Sequence, residues 1–145
     1  MHSVSVKGHF YSAHLLNGYK GKCKNLHGHN YLVEVILQGN ELNDIGILFD
    51  FSKLEHELNK ILNTLDHTTI LKECEENKSL IEVLKSMKSQ VILFHDNPTA
   101  ENLARYIYKK LKKNFFGNKK IKSMLRSVKV WETNDCLAEF KEEVQ

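Results

Sequence analysis

Hydrophobic and polar positions alternate along residues 4–11, with Val4, Val6, Gly8 and Phe10 on one side and Ser5, Lys7, His9 and Tyr11 on the other. Period two sends successive side chains to opposite faces, so this segment predicts a half-buried strand. Residues 30–38, rich in Tyr, Val, Ile and Leu and closed by Gly39-Asn40, predict a second strand. Between them, residues 15–26 carry Asn17-Gly18, Gly21 and three lysines, and read as a long loop. Residues 45–51 form a short extended lead into a helix. There the period changes. Leu54, Leu58, Ile61, Leu62 and Leu65 recur at helical spacing. Ser52 and Glu55 stand as a capping box at the start, and the helix should stop near Thr64. A second helix is expected after Pro98, with Thr99 as N-cap, Glu101 in the first turn and Leu103, Ala104, Ile107 and Leu111 as its apolar face. Lysines 109, 110, 112 and 113 crowd its far end, and Gly117-Asn118 marks the following turn. Residues 124–132 and 137–140 read as a closing hairpin around Asn134-Asp135. Between the helices, residues 77–87 predict a short helix and residues 91–94 a strand. The order β-β-α-(insert)-α-β-β favours an α+β fold, with an antiparallel sheet and two helices on one face.

At 145 residues the chain is expected to be one domain, residues 1–145, with residues 72–94 as an insert between the helices. The net charge of +3 does not call for nucleic acid, and suits an anionic small molecule. Cys23, Cys74 and Cys136 are an odd set without framework spacing, which suggests a reducing compartment. Residues 1–7 do not resemble a signal peptide, and no run of about 18 apolar residues suggests a membrane span. A cytoplasmic location is the expectation.

The chemistry concentrates at Cys23-Lys24-Asn25-Leu26-His27-Gly28-His29. His27 and His29 share one face if they lie on a strand, and Gly28 between them permits close backbone approach. His14 completes a three-histidine set if its own strand pairs alongside; taken alone it reads more often as a polar core or surface residue than as a ligand. Three imidazoles on Zn²⁺ leave a fourth position open, the pattern of catalytic zinc. Cys23, flanked by Lys22 and Lys24, is either a fourth ligand or a base, since positive neighbours favour a thiolate. Cys74 lies in an acidic run, and neither it nor Cys136 has comparable support. Asp66-His67 could form an oriented carboxylate–imidazole pair, or simply a helix-ending turn. Glu132 near a strand end is costly if buried without partners. Thr99 is sufficiently explained as an N-cap. The lysines of the 20–24 loop read as a solvated basic loop rather than a phosphate site.

Together these residues resemble the 6-pyruvoyltetrahydropterin synthase/6-carboxytetrahydropterin synthase family. The resemblance runs through Phe10-Tyr11-Ser12-Ala13-His14, Cys23 to His29, Gly46 to Phe51, Leu65-Asp66-His67, Pro98 to Asn102, and Trp131-Glu132-Thr133. It implies the tunnelling fold: a four-stranded antiparallel sheet backed by two helices, in homo-oligomers built from trimers, commonly hexamers, with active sites between subunits. It implies His14, His27 and His29 as zinc ligands, Cys23 as catalytic base, and Asp66 with His67 as a proton-transfer pair from a neighbouring subunit. Glu132 would anchor the pterin ring, and Thr99 would lie near the pterin pocket. The three residues between Cys23 and His27 resemble the bacterial 6-carboxytetrahydropterin synthases of 7-deazaguanine (queuosine) biosynthesis. Those convert 7,8-dihydroneopterin triphosphate to 6-carboxytetrahydropterin, acetaldehyde and triphosphate. A 6-pyruvoyltetrahydropterin synthase, which omits carbon–carbon cleavage, is the alternative enzyme. A non-catalytic zinc module closed by Cys23 is an alternative of another class. The departure from the family pattern is the longer stretch over residues 72–94.

Overall fold

Two long antiparallel strands set the frame. β1 (His2–His14) and β2 (His27–Gly39) pair from His2 opposite Gly39 to His14 opposite His27. The computed structural model describes residues 1–115 and 118–143. Both strands run past the expected 4–11 and 30–38. The alternation continues there with polar residues: Ser12 and His14 extend the inward row of β1, and His27 and His29 that of β2. A pattern read from apolar residues ends where the inward row turns polar, although the backbone ladder does not.

The remaining elements are α1 (Phe51–Leu65), β3 (Thr68–Lys72), α2 (Lys78–Ser86), β4 (Val91–Phe94), α3 (Ala100–Asn114), α4 (Lys119–Met124), β5 (Leu125–Trp131) and β6 (Leu137–Phe140). Of the turn expected at Gly117-Asn118, Gly117 lies outside the described residues, while the Asn118 side chain caps α4 by accepting from the Ile121 amide. The β5–β6 hairpin is as expected.

The sheet corrects one expectation. It has six strands, ordered β4-β3-β1-β2-β5-β6, rather than four. The antiparallel four, β1, β2, β5 and β6, are present. β3 then adds in parallel to the free edge of β1, and β4 in parallel to β3. Residues 68–71 of β3 are all buried, so they show none of the alternation that marks a half-exposed strand. Residues 72–94, read as an insert, hold a 3₁₀ turn, α2 and β4.

The start of α1 also differs in detail. Asp50, not Ser52, is the N-cap, and its carboxylate accepts from the Ser52 amide at 2.9 Å. Phe51 adopts helical geometry, which moves Ser52 into the first turn. Thr99 caps α3 as expected, accepting from the Asn102 amide at 3.3 Å.

α1 and α3 lie on one face of the sheet. Leu54, Leu58, Ile61, Leu62 and Leu65 of α1, with Leu103, Ala104, Ile107 and Leu111 of α3, form one buried cluster with Phe10, Tyr31, Val33, Val35, Val128 and Val130. Burying each large side chain contributes about 1.5–3 kcal/mol. Gly8 allows α1 to approach this closely: a Cβ there would stand 2.6 Å from Leu62 Cδ1. Among the described residues, no helix is long and apolar enough to cross a membrane.

Candidate metal centre and active site

The pairing of β1 with β2 puts His14 directly opposite His27, and His29 two residues on along the same inward row. One ring nitrogen from each of His14, His27 and His29 lies within 4.8 Å of the others. Gly28, opposite Ala13, keeps the two backbones close; a Cβ there would be 3.3 Å from the Ser12 carbonyl oxygen.

The hydrogen bonds fix how these rings present themselves. His14 Nδ1 lies 2.7 Å from the Pro98 carbonyl oxygen, and His27 Nδ1 lies 2.7 Å from the Asn25 carbonyl oxygen. A carbonyl only accepts, so both Nδ1 atoms carry the proton and both Nε2 atoms present lone pairs. Those two Nε2 atoms face each other at 3.1 Å. His29 Nε2 is buried without a partner. Two facing lone pairs and an orphaned buried nitrogen are unfavourable unless a cation sits among them. Two Zn–N bonds of about 2.0–2.1 Å at a tetrahedral angle put their nitrogens roughly 3.3 Å apart, close to what is seen. The donor set therefore fits Zn²⁺, and backbone carbonyls orient two of its imidazoles.

Burial disfavours the charged form of His14 and of His29. Burial lowers His14 to about 4, against a contrary pull from the Pro98 carbonyl and helped by repulsion from His27 and His29. Burial, then repulsion from His27, also lowers His29. Tyr31, stacked on Phe10 with ring centroids 4.7 Å apart, brings its hydroxyl to 3.1 Å from His14 Nδ1. Burial, followed by the charges of Glu132 and Cys23, pushes Tyr31 above its usual range, so it stays a neutral phenol.

Cys23 sits half-buried in the 3₁₀ turn Lys22–Lys24 and is not part of the close ligand set. Its carbonyl accepts from the Leu16 amide at 2.9 Å, which folds the loop back on itself. Glu132 follows β5, with Oε1 3.9 Å from His14 Nε2. Burial and then the charge of Glu101 raise Glu132, while His27 opposes the shift. Glu132 and His29 both line an open groove of about 580 Å³ with Lys7, Asn30 and Trp131. Thr99 directly follows Pro98, whose carbonyl holds His14. A larger concavity of about 680 Å³ lies at the opposite end of β2, lined by Met1, Gln38, Tyr108, Lys120 and Arg126. None of the candidate residues lines it.

Asp66 and His67 stand apart. His67 Nδ1 donates to Asp66 Oδ2 at 2.7 Å, and the other carboxylate oxygen accepts from the Tyr11 amide at 2.8 Å. The Tyr11 amide and the His67 imidazole together hold the Asp66 carboxyl below its usual range. His67 has φ of 56°, a left-handed conformation uncommon outside glycine, fixed by its amide donating to the Tyr11 carbonyl at 2.7 Å. Its ring neighbours that of Tyr11, which lies on the other face of β1 from His14. The pair is thus oriented and exposed on the Tyr11 side of β1, away from His14, while His67 and His29 both line an open concavity of about 440 Å³.

Sequence reasoning did not single out Tyr31, Asn25, Pro98 or Glu101 as parts of this site. Only Tyr31 left a signal, as the next inward position after His27 and His29.

Comparison with known proteins gives a consistent picture. The model of the family described as 6-pyruvoyl tetrahydropterin synthase matches residues 3–143. A 6-carboxy-5,6,7,8-tetrahydropterin synthase of Haemophilus influenzae is 34% identical over 148 residues, covering 98% of this chain and 100% of that protein. A putative 6-carboxy-5,6,7,8-tetrahydropterin synthase of Pyrococcus abyssi is 37% identical over 94% of this chain and 92% of that protein. The solved 6-pyruvoyl tetrahydropterin synthase of Caenorhabditis elegans superposes with a TM-score of 0.70 at 28% identity, over 97% of this chain and 95% of that one.

Proposed function

The chain belongs to the 6-pyruvoyl tetrahydropterin synthase family, and we propose that it is a zinc-dependent lyase converting 7,8-dihydroneopterin triphosphate to 6-carboxy-5,6,7,8-tetrahydropterin, acetaldehyde and triphosphate. The observation that carries this reading is the histidine triad with two tautomers set by carbonyls and a third nitrogen left without a partner. The names of its relatives at 34% and 37% identity support the carboxy-forming reaction over the pyruvoyl-forming one. Such a product suits 7-deazaguanine biosynthesis in the cytosol, where three free cysteines are stable.

Zn²⁺, held by His14, His27 and His29, would supply Lewis-acid polarisation of the substrate's side-chain hydroxyls. The remaining work falls to the protein. Cys23 as thiolate removes the proton from the side-chain carbon next to the ring. His67, oriented by Asp66, moves a proton at the adjacent hydroxyl-bearing carbon. In a homo-oligomer built from trimers these two residues come from a second copy of the chain. Glu132 accepts hydrogen bonds from the pterin's exocyclic amine and ring N–H, and Thr99 lies beside that ring. The close ligand set contains no thiol, which favours an open catalytic metal over a closed structural one.

Incubation of the zinc-loaded protein with 7,8-dihydroneopterin triphosphate, with mass analysis of the products, tests this reading. Formation of 6-carboxytetrahydropterin with acetaldehyde is expected. Accumulation of 6-pyruvoyltetrahydropterin would transfer the assignment to the pyruvoyl-forming reaction. No consumption of substrate would overturn both.

A further inference from the structure

A cluster of three asparagines lies behind the metal centre, and the reaction as described uses none of them. Asn77, 3% exposed, and Asn17 form a reciprocal amide pair: Asn17 Nδ2 donates to Asn77 Oδ1 at 3.0 Å, and Asn77 Nδ2 donates to Asn17 Oδ1 at 2.8 Å. Asn77 Nδ2 also donates to the Lys72 carbonyl at 2.8 Å. Asn97 grips the backbone of the same residue: the Asn17 amide donates to Asn97 Oδ1 at 2.9 Å, and Asn97 Nδ2 donates to the Asn17 carbonyl at 2.8 Å. Asn17 is therefore held at both side chain and main chain by two segments far away in sequence.

Its neighbours in the chain explain why that matters. Leu16, one residue before Asn17, donates its amide to the Cys23 carbonyl at 2.9 Å. Pro98, one residue after Asn97, offers the carbonyl that fixes His14 Nδ1 at 2.7 Å. The carbonyl of Asn97 itself accepts from the Thr99 amide and from Asn102 Nδ2, both at 2.8 Å, which stiffens the entry to α3. Hydrogen bonds and two peptide links thus connect the Cys23 backbone carbonyl, through Leu16 and Asn17, to Asn97 and the Pro98 carbonyl that orients the first histidine. Cyclic amide pairs resist sliding, because both members must break two bonds together.

We propose that Asn17 is a positioning residue: locked by Asn77 and Asn97, it fixes the Cys23 loop relative to the histidine triad. Asn77, on the segment between β3 and α2, then ties residues 72–94 to the chemistry, although that segment contributes no reacting group. The proposal rests on Cys23 being the base. Its effect falls on the geometry of proton removal and not on pterin binding.

The test uses Asn77→Ala and Asn77→Asp, which keeps the acceptor for Asn17 Nδ2 but replaces both donors with a carboxylate oxygen. Three quantities are read: kcat and KM for dihydroneopterin triphosphate, zinc per subunit, and the rate at which iodoacetamide labels each cysteine, mapped by peptide mass spectrometry. Expected for Asn77→Ala are a kcat loss of about tenfold or more with KM within about twofold, full zinc, and labelling of Cys23 accelerated severalfold with Cys136 unchanged. Asn77→Asp should lose kcat and accelerate Cys23 labelling at least as much as Asn77→Ala, since its buried carboxylate faces the Asn17 and Lys72 oxygens. Wild-type kcat together with a wild-type Cys23 rate would overturn the proposal. So would equal acceleration at Cys23 and Cys136, which signals general loosening of the fold. The labelling needs no substrate, so a wild-type protein inert toward the pterin would refute the proposed reaction and leave the Cys23 measurement to decide the role of Asn17.

Discussion

The residue with the most consequences is His14. It is 1% exposed, bonded to a carbonyl through Nδ1, and lowered to about 4 by burial. In the unfolded chain it titrates near 6.5. Between these values the unfolded state binds a proton that the folded state refuses, so stability rises with pH across that window and falls as the pH drops from 6.5 toward 4. Protein stripped of metal with a chelator should therefore lose thermal stability steeply between pH 6.5 and 4. His14→Ala should show a shallower fall, and an identical slope in the two proteins would refute the assignment. Glu132 invites a second measurement. Glu132→Gln keeps the shape but replaces one acceptor with a donor that faces the donors of a pterin. Charge-assisted hydrogen bonds are worth about 1.5–3 kcal/mol, so affinity for a non-reactive pterin should fall about tenfold to a hundredfold. Zinc content should stay at the wild-type level. Calorimetric titration checks this, and equal affinities would move ring recognition elsewhere. At this scale the sequence was informative about side chains and silent about backbone. The histidine pair at period two was legible, whereas the carbonyls of Pro98 and Asn25 that set the tautomers could not be, because any residue offers a carbonyl. The amides of Asn17, Asn77 and Asn97 look like ordinary turn and cap residues until the fold brings them together.

At the scale of elements, the apolar rows of β2, α1 and α3 were readable because each half-exposed element repeats its own period. β3 was not, since burial of residues 68–71 on both sides erases the period. The cap of α1 was misplaced by two residues because Asp50 and Ser52 are both good N-caps, and only the helical geometry of Phe51 decides between them. Gly8 shows how closely these elements pack. Its missing Cβ is the space that Leu62 occupies, with Leu58 Cδ2 and Asn59 Oδ1 each 3.4 Å from where the Cβ would stand. Gly8→Val would force α1 outward along the strand that carries His14. Overpacking of this kind costs about 1–3 kcal/mol. A lowered midpoint in urea with an unchanged slope is the expected result. An unchanged midpoint would mean that α1 and β1 have slack the structure does not suggest.

At the scale of the whole molecule, one arrangement decides how a working site is assembled. His14, His27 and His29 face the helices, while the Asp66–His67 pair sits beside Tyr11 on the other face of β1. Side chains on the two faces of a strand diverge, although His29 and His67 of one chain both line an open concavity of about 440 Å³. The left-handed backbone of His67 and its bond to Asp66 show a ring held in place with 78% of its side chain exposed, as a group serving a neighbouring subunit would be. This gives a prediction about mixtures. Cys23→Ala and His67→Ala should each be inactive alone, for loss of the base and of its partner. If each site takes Cys23 from one copy and His67 from the next, random exchange of subunits after mild dissociation should restore about a quarter of the sites in an equal mixture, since each residue is intact with a chance of one half. If both residues act from the same copy, every site in the mixture lacks one of them and no activity returns. Steady-state assays of the two variants before and after mixing distinguish these outcomes. Recovery to about a quarter would establish the shared site, and none at all, with exchange verified by mass, would confine the reaction to a single chain.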